Sequence, residues 1–110
     1  MLEVTFTRDS RNRLSSVFAG GHAQAGDHGE DVVCAAVSAI VQAARLGLEE
    51  YAGVALTVRQ ESGDFSMSWP RERRDDEAVR AIVTTAELSI EQIARQYPAH
   101  VRLVRKSDGT

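Results

Sequence analysis

Apolar and polar residues alternate from the start of the chain: Leu2, Val4 and Phe6 are interleaved with Glu3, Thr5 and Thr7, the period of a strand with one buried face. The polar stretch "DSRN" then predicts a turn, and a second short strand over Leu14 to Ala19 completes a hairpin. From Asp31 to Leu46 the sequence "DVVCAAVSAIVQAARL" contains no breaker, and Gly47 offers a stop, so a first helix is predicted there. Apolar residues nearly encircle its first half, and Ala35, Ala36 and Ala39 are small, which predicts burial on more than one side. Val54, Leu56 and Val58 alternate again, "ESGD" supplies turn chemistry, and Phe65, Met67 and Trp69 alternate beyond it. This is a second hairpin, ended by Pro70. From Asp75 or Asp76, the residues Val79, Ile82, Val83, Ala86, Ile90, Ile93, Ala94 and Tyr97 follow helical spacing up to Pro98. A last strand, "HVRLVR" from His100, leads into the polar tail "KSDGT", which is expected to fray.

The predicted order is therefore β-β-α-β-β-α-β. Hairpins separated by helices predict an α+β two-layer domain, a largely antiparallel sheet with two helices on one face. The 110 residues contain no repeat, linker or low-complexity segment and suffice for one core, so a single domain spanning 1–110 is expected. Aromatic residues make up only 5% of the chain, which leaves Ala, Val, Ile and Leu to build the core. Met67 and Trp69 are expected in or beside it as strand packing.

Charge and cysteine content narrow the function classes. Sixteen acidic residues against thirteen basic ones give a net charge of -3, without the basic excess of a general nucleic-acid binder, so nucleic acid is not expected as a partner. The lone cysteine excludes an internal disulfide framework and fits a reducing compartment. "MLEVTFTRDS" lacks the apolar region of a signal peptide, and no run approaches the roughly 18 apolar residues of a membrane span. A cytoplasmic protein without a membrane partner is expected.

The candidate chemistry lies in "GGHAQAGDHGEDVVCAAVSA", which holds Cys34 and two of the three histidines, His22 and His28. With Asp31 as N-cap, Cys34 becomes the third helical residue, near the positive end of the helix dipole. There the thiolate is favoured, and the thiol pKa is expected below the roughly 8.5 of a free cysteine. Free cysteine is also among the most often buried residues, so an inert core thiol is the competing reading. A nucleophilic cysteine needs a base, which His22 could supply from a loop loosened by Gly20, Gly21, Gly26 and Gly29; a solvated loop histidine is the plain alternative. His22, His28, Cys34 and Asp31 are acceptable zinc ligands, but their spacing matches no common zinc motif and a second cysteine is missing. No metal and no cofactor are therefore expected, and His28 reads as a loop-surface residue.

"GGHA" followed by "GEDVVCAAVSAI" resembles the signature of the ribosomal-processing cysteine proteases, the Prp family of small bacterial proteins. In that signature a Gly-His-Ala segment precedes an Asp-(Ile/Val)-Val-Cys-Ala-Ala-x-Ser helix. The resemblance is dense over this segment, with Val32 where isoleucine is frequent, and elsewhere extends to length and element order. It implies a cysteine endopeptidase that removes a short N-terminal extension from a large-subunit ribosomal protein precursor, cutting after a bulky aromatic residue. It further implies His22 as general acid/base, Cys34 as nucleophile, Gly21, Asp31 and Ser38 as supporting residues, and a homodimer.

Asp31, Cys34 and Ser38, at i, i+3 and i+7, would share one helix face. On it Asp31 either orients His22 or simply caps the helix, and Ser38 either bonds the site or back-bonds its own helix. "PRERR", residues 70 to 74, has the charge to meet ribosomal RNA but reads first as a solvated charged turn. The reading from another class is a non-catalytic, ribosome-associated dimeric binding module that keeps the fold and buries Cys34.

Overall fold

The alternation at the N-terminus becomes β1 (Leu2–Arg8), in which Leu2, Val4 and Phe6 are at most 1% exposed. The structure, a computed structural model, describes residues 1–21 and 28–109, with the side chains of residues 28–31 outside that description. β1 forms a hairpin with β2 (Leu14–Gly20), which pairs with β4 (Asp64–Ser68), which in turn pairs with β3 (Thr57–Glu61). β5 (Val101–Ser107) adds on the far side of β1. The sheet order is β3-β4-β2-β1-β5, antiparallel throughout except for the parallel β1–β5 pair.

Register places the apolar residues in rows. Phe6 lies opposite Val17, which lies opposite Met67; Val4 lies opposite Ala19, which lies opposite Phe65. Against these rows pack α1 (His28–Leu46), through Val33, Val37, Val41 and Ala44, and α2 (Glu77–Gln96), through Val79, Val83, Ala86 and Ile90. Sheet and helices share one core, so both helices cover the same face, the expected α+β two-layer arrangement.

Four local expectations are corrected. α1 begins at His28, so Asp31 is a residue within the helix rather than its N-cap. Gly47 does not stop the helix, because the chain continues through a π-helical turn over Gly47–Tyr51, closed by the Ala52 N–H on the Gly47 carbonyl at 3.0 Å. Gly47 lies in close contact with α2: a Cβ there would sit 3.2 Å from the Ile82 side chain, which would have to shift by a few tenths of an ångström. α1 is buried along one stripe only, with Val32, Ala35, Ala36, Ala39 and Ala43 exposed on the other side. β3 starts at Thr57, after Val54 and Leu56, because the turn at Gly53 (φ 65°) and the Val54 N–H on the Leu48 carbonyl tie this connection to the end of α1.

Val32–Tyr51 is a helical run of 20 residues with mean hydropathy 1.5, long and apolar enough to cross a membrane, a length the expectation of no such run had not allowed for. Its stripe of Val33, Val37, Val41, Ala44 and Leu48 is spent on the core of this domain.

Three buried polar groups fix how the layers meet. Trp69 donates from Nε1 to the Leu14 carbonyl at 2.7 Å. Asp9, sealed in the β1–β2 turn, accepts from the Arg11 and Arg13 backbone N–H groups (2.9 and 3.1 Å), Arg13 Nε (3.0 Å) and Arg74 Nη1 (3.0 Å). Glu87 of α2 takes a bidentate pair from Arg8 of β1 (2.8 and 2.9 Å) and a third bond from Arg105 of β5 (3.0 Å). "PRERR" is thus not a solvated turn. Arg74 holds Asp9 and the Trp69 carbonyl, and Arg73 reaches Asp76 and the carbonyls of Ala52 and Gly53.

Burial alone would push both carboxyls up. For Asp9, the backbone N–H groups of Arg13 and Arg11 and the Arg74 guanidinium more than offset it; for Glu87, Arg8 and Arg105 do. Both are held below the usual carboxylate range. The folded state therefore binds fewer protons than the unfolded one, and this stabilisation is full above the unfolded carboxyl range near pH 4 and is lost as pH falls through the folded values. Glu87→Gln is expected to cost about 2 kcal/mol at pH 7 and, like Asp9→Asn, to flatten the acid limb of Tm against pH. Thermal unfolding followed by circular dichroism between pH 7 and 3 reads both, and an unchanged acid limb in either variant would contradict the assignment.

Candidate active site

β2 delivers the chain to the site through two glycines, each needed for a different reason. A Cβ at Gly20 would collide with the Phe18 ring and the Asp64 carboxylate, so the backbone there lies beneath two side chains. Gly21 adopts φ 73°, a left-handed conformation that other residues enter at a cost of about 1 kcal/mol. A Cβ on it would also press on the Met1 carbonyl at 3.3 Å. The expected role of Gly21 thus has a local cause: it turns the chain out of the sheet immediately before His22. His22 itself lies outside the described residues.

The chain is described again from His28, at the start of α1. Cys34 is then the seventh helical residue, in the second turn rather than the first. Because the field of a helix terminus falls off within its first turn, the dipole contributes less to thiolate formation than an N-cap at Asp31 would have given. Cys34 is a thiol outside any disulfide, half-buried, with one flank against the core cluster. It is neither the sealed thiol of the core reading nor a fully solvated one. Such a position holds the side chain by packing against the core without sealing the residue inside it.

Ser38 follows one turn later on the same helix and is exposed. Asp31 is helical in backbone, while its side chain, like that of His28, lies outside the described residues. The topology brings Gly21 and the first turns of α1 to the same end of the sheet. This is the end where β2 leaves off and α1 begins.

A concavity of about 270 Å³ adjoins this end on the open face of the sheet, lined by Phe18, Arg59, Glu61, Asp64, Phe65 and Ser66. Phe18 is 38% exposed, a large aromatic at an outward register position. Strand periodicity alone does not single it out. The available signal was Phe18 following the inward-facing Val17, an apolar residue where the alternation calls for a polar one.

Known proteins match this chain along its whole length. The family described as cysteine protease Prp matches residues 1–102. The ribosomal processing cysteine protease Prp of Bacillus subtilis is 31% identical over 108 residues, covering 94% of this chain and 96% of that protein. Among solved structures, SMU.848 from Streptococcus mutans superposes with a TM-score of 0.88 at 27% identity, covering 98% of this chain and 99% of that one. The Prp protease of S. aureus in complex with a substrate peptide shares the fold, with a TM-score of 0.86 at 23% identity, covering 96% of this chain and 100% of that one. With a match of that extent and a half-buried cysteine on the helix that follows the double glycine, this chain belongs to the Prp family of cysteine proteases.

Proposed function

We propose that this cysteine protease removes the N-terminal extension of a large-subunit ribosomal protein precursor, with Cys34 as nucleophile and His22 as general acid/base. The observation that carries the reading is the family match over residues 1–102, with both of these residues in place in the matching segment. It is supported by the name of the Bacillus subtilis relative, a ribosomal processing protease, and by the S. aureus structures, one with a substrate peptide and one with a covalently linked product peptide.

In this mechanism the Cys34 thiolate attacks the scissile carbonyl, and the tetrahedral intermediate collapses to a thioester as His22 gives its proton to the leaving amine. His22 then takes a proton from water, which attacks the thioester, releases the carboxylate product and returns the thiol. Neither step calls for a metal or an organic cofactor. Gly21 turns the chain out of the sheet immediately before His22, Asp31 orients or charge-balances the imidazole, and Ser38 extends the polar edge of the site. A reducing cytoplasm keeps Cys34 active.

The same reading includes a homodimer. Ala35, Ala36, Ala39 and Ala43 leave a low, apolar face on α1, continued by Leu46 and Leu88 at 59% and 52% exposure. Between the helices runs a groove of about 470 Å³ that includes Ile40, Ala43 and Ile82. Small side chains let a second copy approach closely, and burying the face would remove apolar surface from water.

Cleavage of the extended precursor tests the assignment. Cys34→Ser and His22→Ala are each expected to lower turnover by roughly a thousandfold or more with unchanged circular dichroism. His28→Ala should stay within a few-fold of the parent protein, and EDTA should leave activity intact. Wild-type turnover by Cys34→Ser would remove the nucleophile.

Native Cys34 should react with iodoacetamide without denaturant, and His22→Ala should slow that reaction near neutral pH. Alkylation only after unfolding would return Cys34 to the core. Ala43→Glu should convert a dimer into a monomer in sedimentation velocity, and an unchanged sedimentation coefficient would place the dimer contact elsewhere.

A further inference from the structure

The protein is acidic overall, yet its arginines are unevenly placed. Of thirteen basic residues only Lys106 is a lysine. Five arginines, Arg8, Arg11, Arg13, Arg74 and Arg80, line one cleft of about 380 Å³ at the β1–β2 turn, with Asp75 as the one carboxylate in its lining. The cleft lies where β1 ends. From Glu3, opposite Gly20, to Arg8 is five residues of strand, roughly 17 Å. It is therefore remote from the end of the sheet where Gly21 leads into the catalytic segment, and the protease mechanism makes no use of it.

The neighbouring acids act as fasteners rather than as occupants. Asp9, 2% exposed, sits behind the cleft and fixes Arg13 and Arg74; Asp75 takes one Arg13 nitrogen at 2.9 Å; Glu87 fixes Arg8. Each guanidinium has five N–H donors, of which Arg8 and Arg13 use two and Arg74 three on these partners and the Trp69 carbonyl, so donors remain on cleft-lining side chains whose entropy is already spent. Among the described residues no carboxylate pairs with the Arg11 guanidinium, its backbone N–H alone meeting Asp9, and exposed Arg80 has only a long, solvent-facing pair with Glu77 at 3.7 Å. These two side chains bring positive charge that is at most weakly compensated. Rigid guanidiniums beside two less constrained ones suit the planar, multi-donor recognition of phosphate oxygens.

We propose that this arginine cleft is a binding site for phosphate groups, carried on an RNA backbone or on a small polyphosphate. Net charge could not reveal it, since most of the sixteen acids lie away from the cleft, whose lining holds five arginines and one carboxylate, Asp75. Phosphate neutralisation predicts affinity that falls with salt, with a slope of about 0.7 per contact on a single strand.

The test uses the full-length protein with a fluorescein-labelled single-stranded RNA followed by anisotropy across a salt series, and inorganic pyrophosphate as competitor. The Arg11→Ala/Arg80→Ala double variant removes two exposed side chains outside the core. It is expected to bind RNA at least fivefold more weakly and to reduce the salt slope by about 1.4, with unchanged thermal unfolding and precursor cleavage. Arg59→Ala/Arg102→Ala, exposed arginines elsewhere with carboxylates at 3.5 and 3.6 Å, makes the same change in net charge and should bind as the parent does. Binding of pyrophosphate alone, lost in the cleft variant only, would support the site and assign it to a small polyphosphate. No binding of either probe at low salt, or equal loss in both double variants, would overturn the proposal.

Discussion

The burial of Leu2, Val4 and Phe6 on one face of β1 is the constraint from which the rest of the structure follows. β1 is the strand that pairs on one side with an antiparallel neighbour and on the other with a parallel one, so its register is shared by β2 and β5. A slip of one residue would turn Glu3, Thr5 and Thr7 toward the helices and expose the apolar row. With that register set, Gly20 falls opposite Glu3 at the sheet end, and the chain leaves at Gly21 on its way to α1. The point at which the chain leaves the sheet toward Cys34 is thus a consequence of strand pairing many residues away from that cysteine.

The two ends of the sheet do different work. One end carries the double glycine, the start of α1 and the half-buried thiol; small residues dominate there because backbone and side chains approach closely. The other end is held by charge. A carboxylate taken out of water in the β1–β2 turn is tolerable only when its oxygens are satisfied. Asp9 meets this condition by drawing in donors from its own turn and from Arg74, and that joins the turn to the segment before α2. Glu87 repeats the arrangement between α2, β1 and β5. Because each acid engages two arginines, the same contacts that fasten the layers gather guanidiniums at one place on the surface.

α1 shows how one helix serves three purposes. Val33, Val37 and Val41 anchor it in the core, Cys34 lies at the edge of that stripe, and the alanines on its outer side leave a flat apolar face. A helix so apolar has the composition of a membrane span, yet one stripe of its apolar residues is used by the core of the domain and the alanines opposite are presented outward.

The sequence by itself determined the elements and their order, the inward residues of β1 and β4, the helical stripe of α2, and the segment carrying His22 and Cys34. Each of these rests on local periodicity, turn chemistry or a dense motif, which neighbouring residues are enough to specify. Tertiary structure decided the rest. It made Gly47 a point of close helix contact with Ile82 instead of a stop, carried α1 back to His28 so that Cys34 moved from the first turn to the second, and converted Arg73 and Arg74 from a solvated turn into fasteners. It also left Ala35, Ala36 and Ala39 uncovered and placed Phe18 beside Gly20. The physical reason is common to all of them: whether a glycine, an alanine or an arginine caps, packs or binds depends on which distant atoms meet it, and only the folded register of the sheet and the packing of the two helices bring those atoms together.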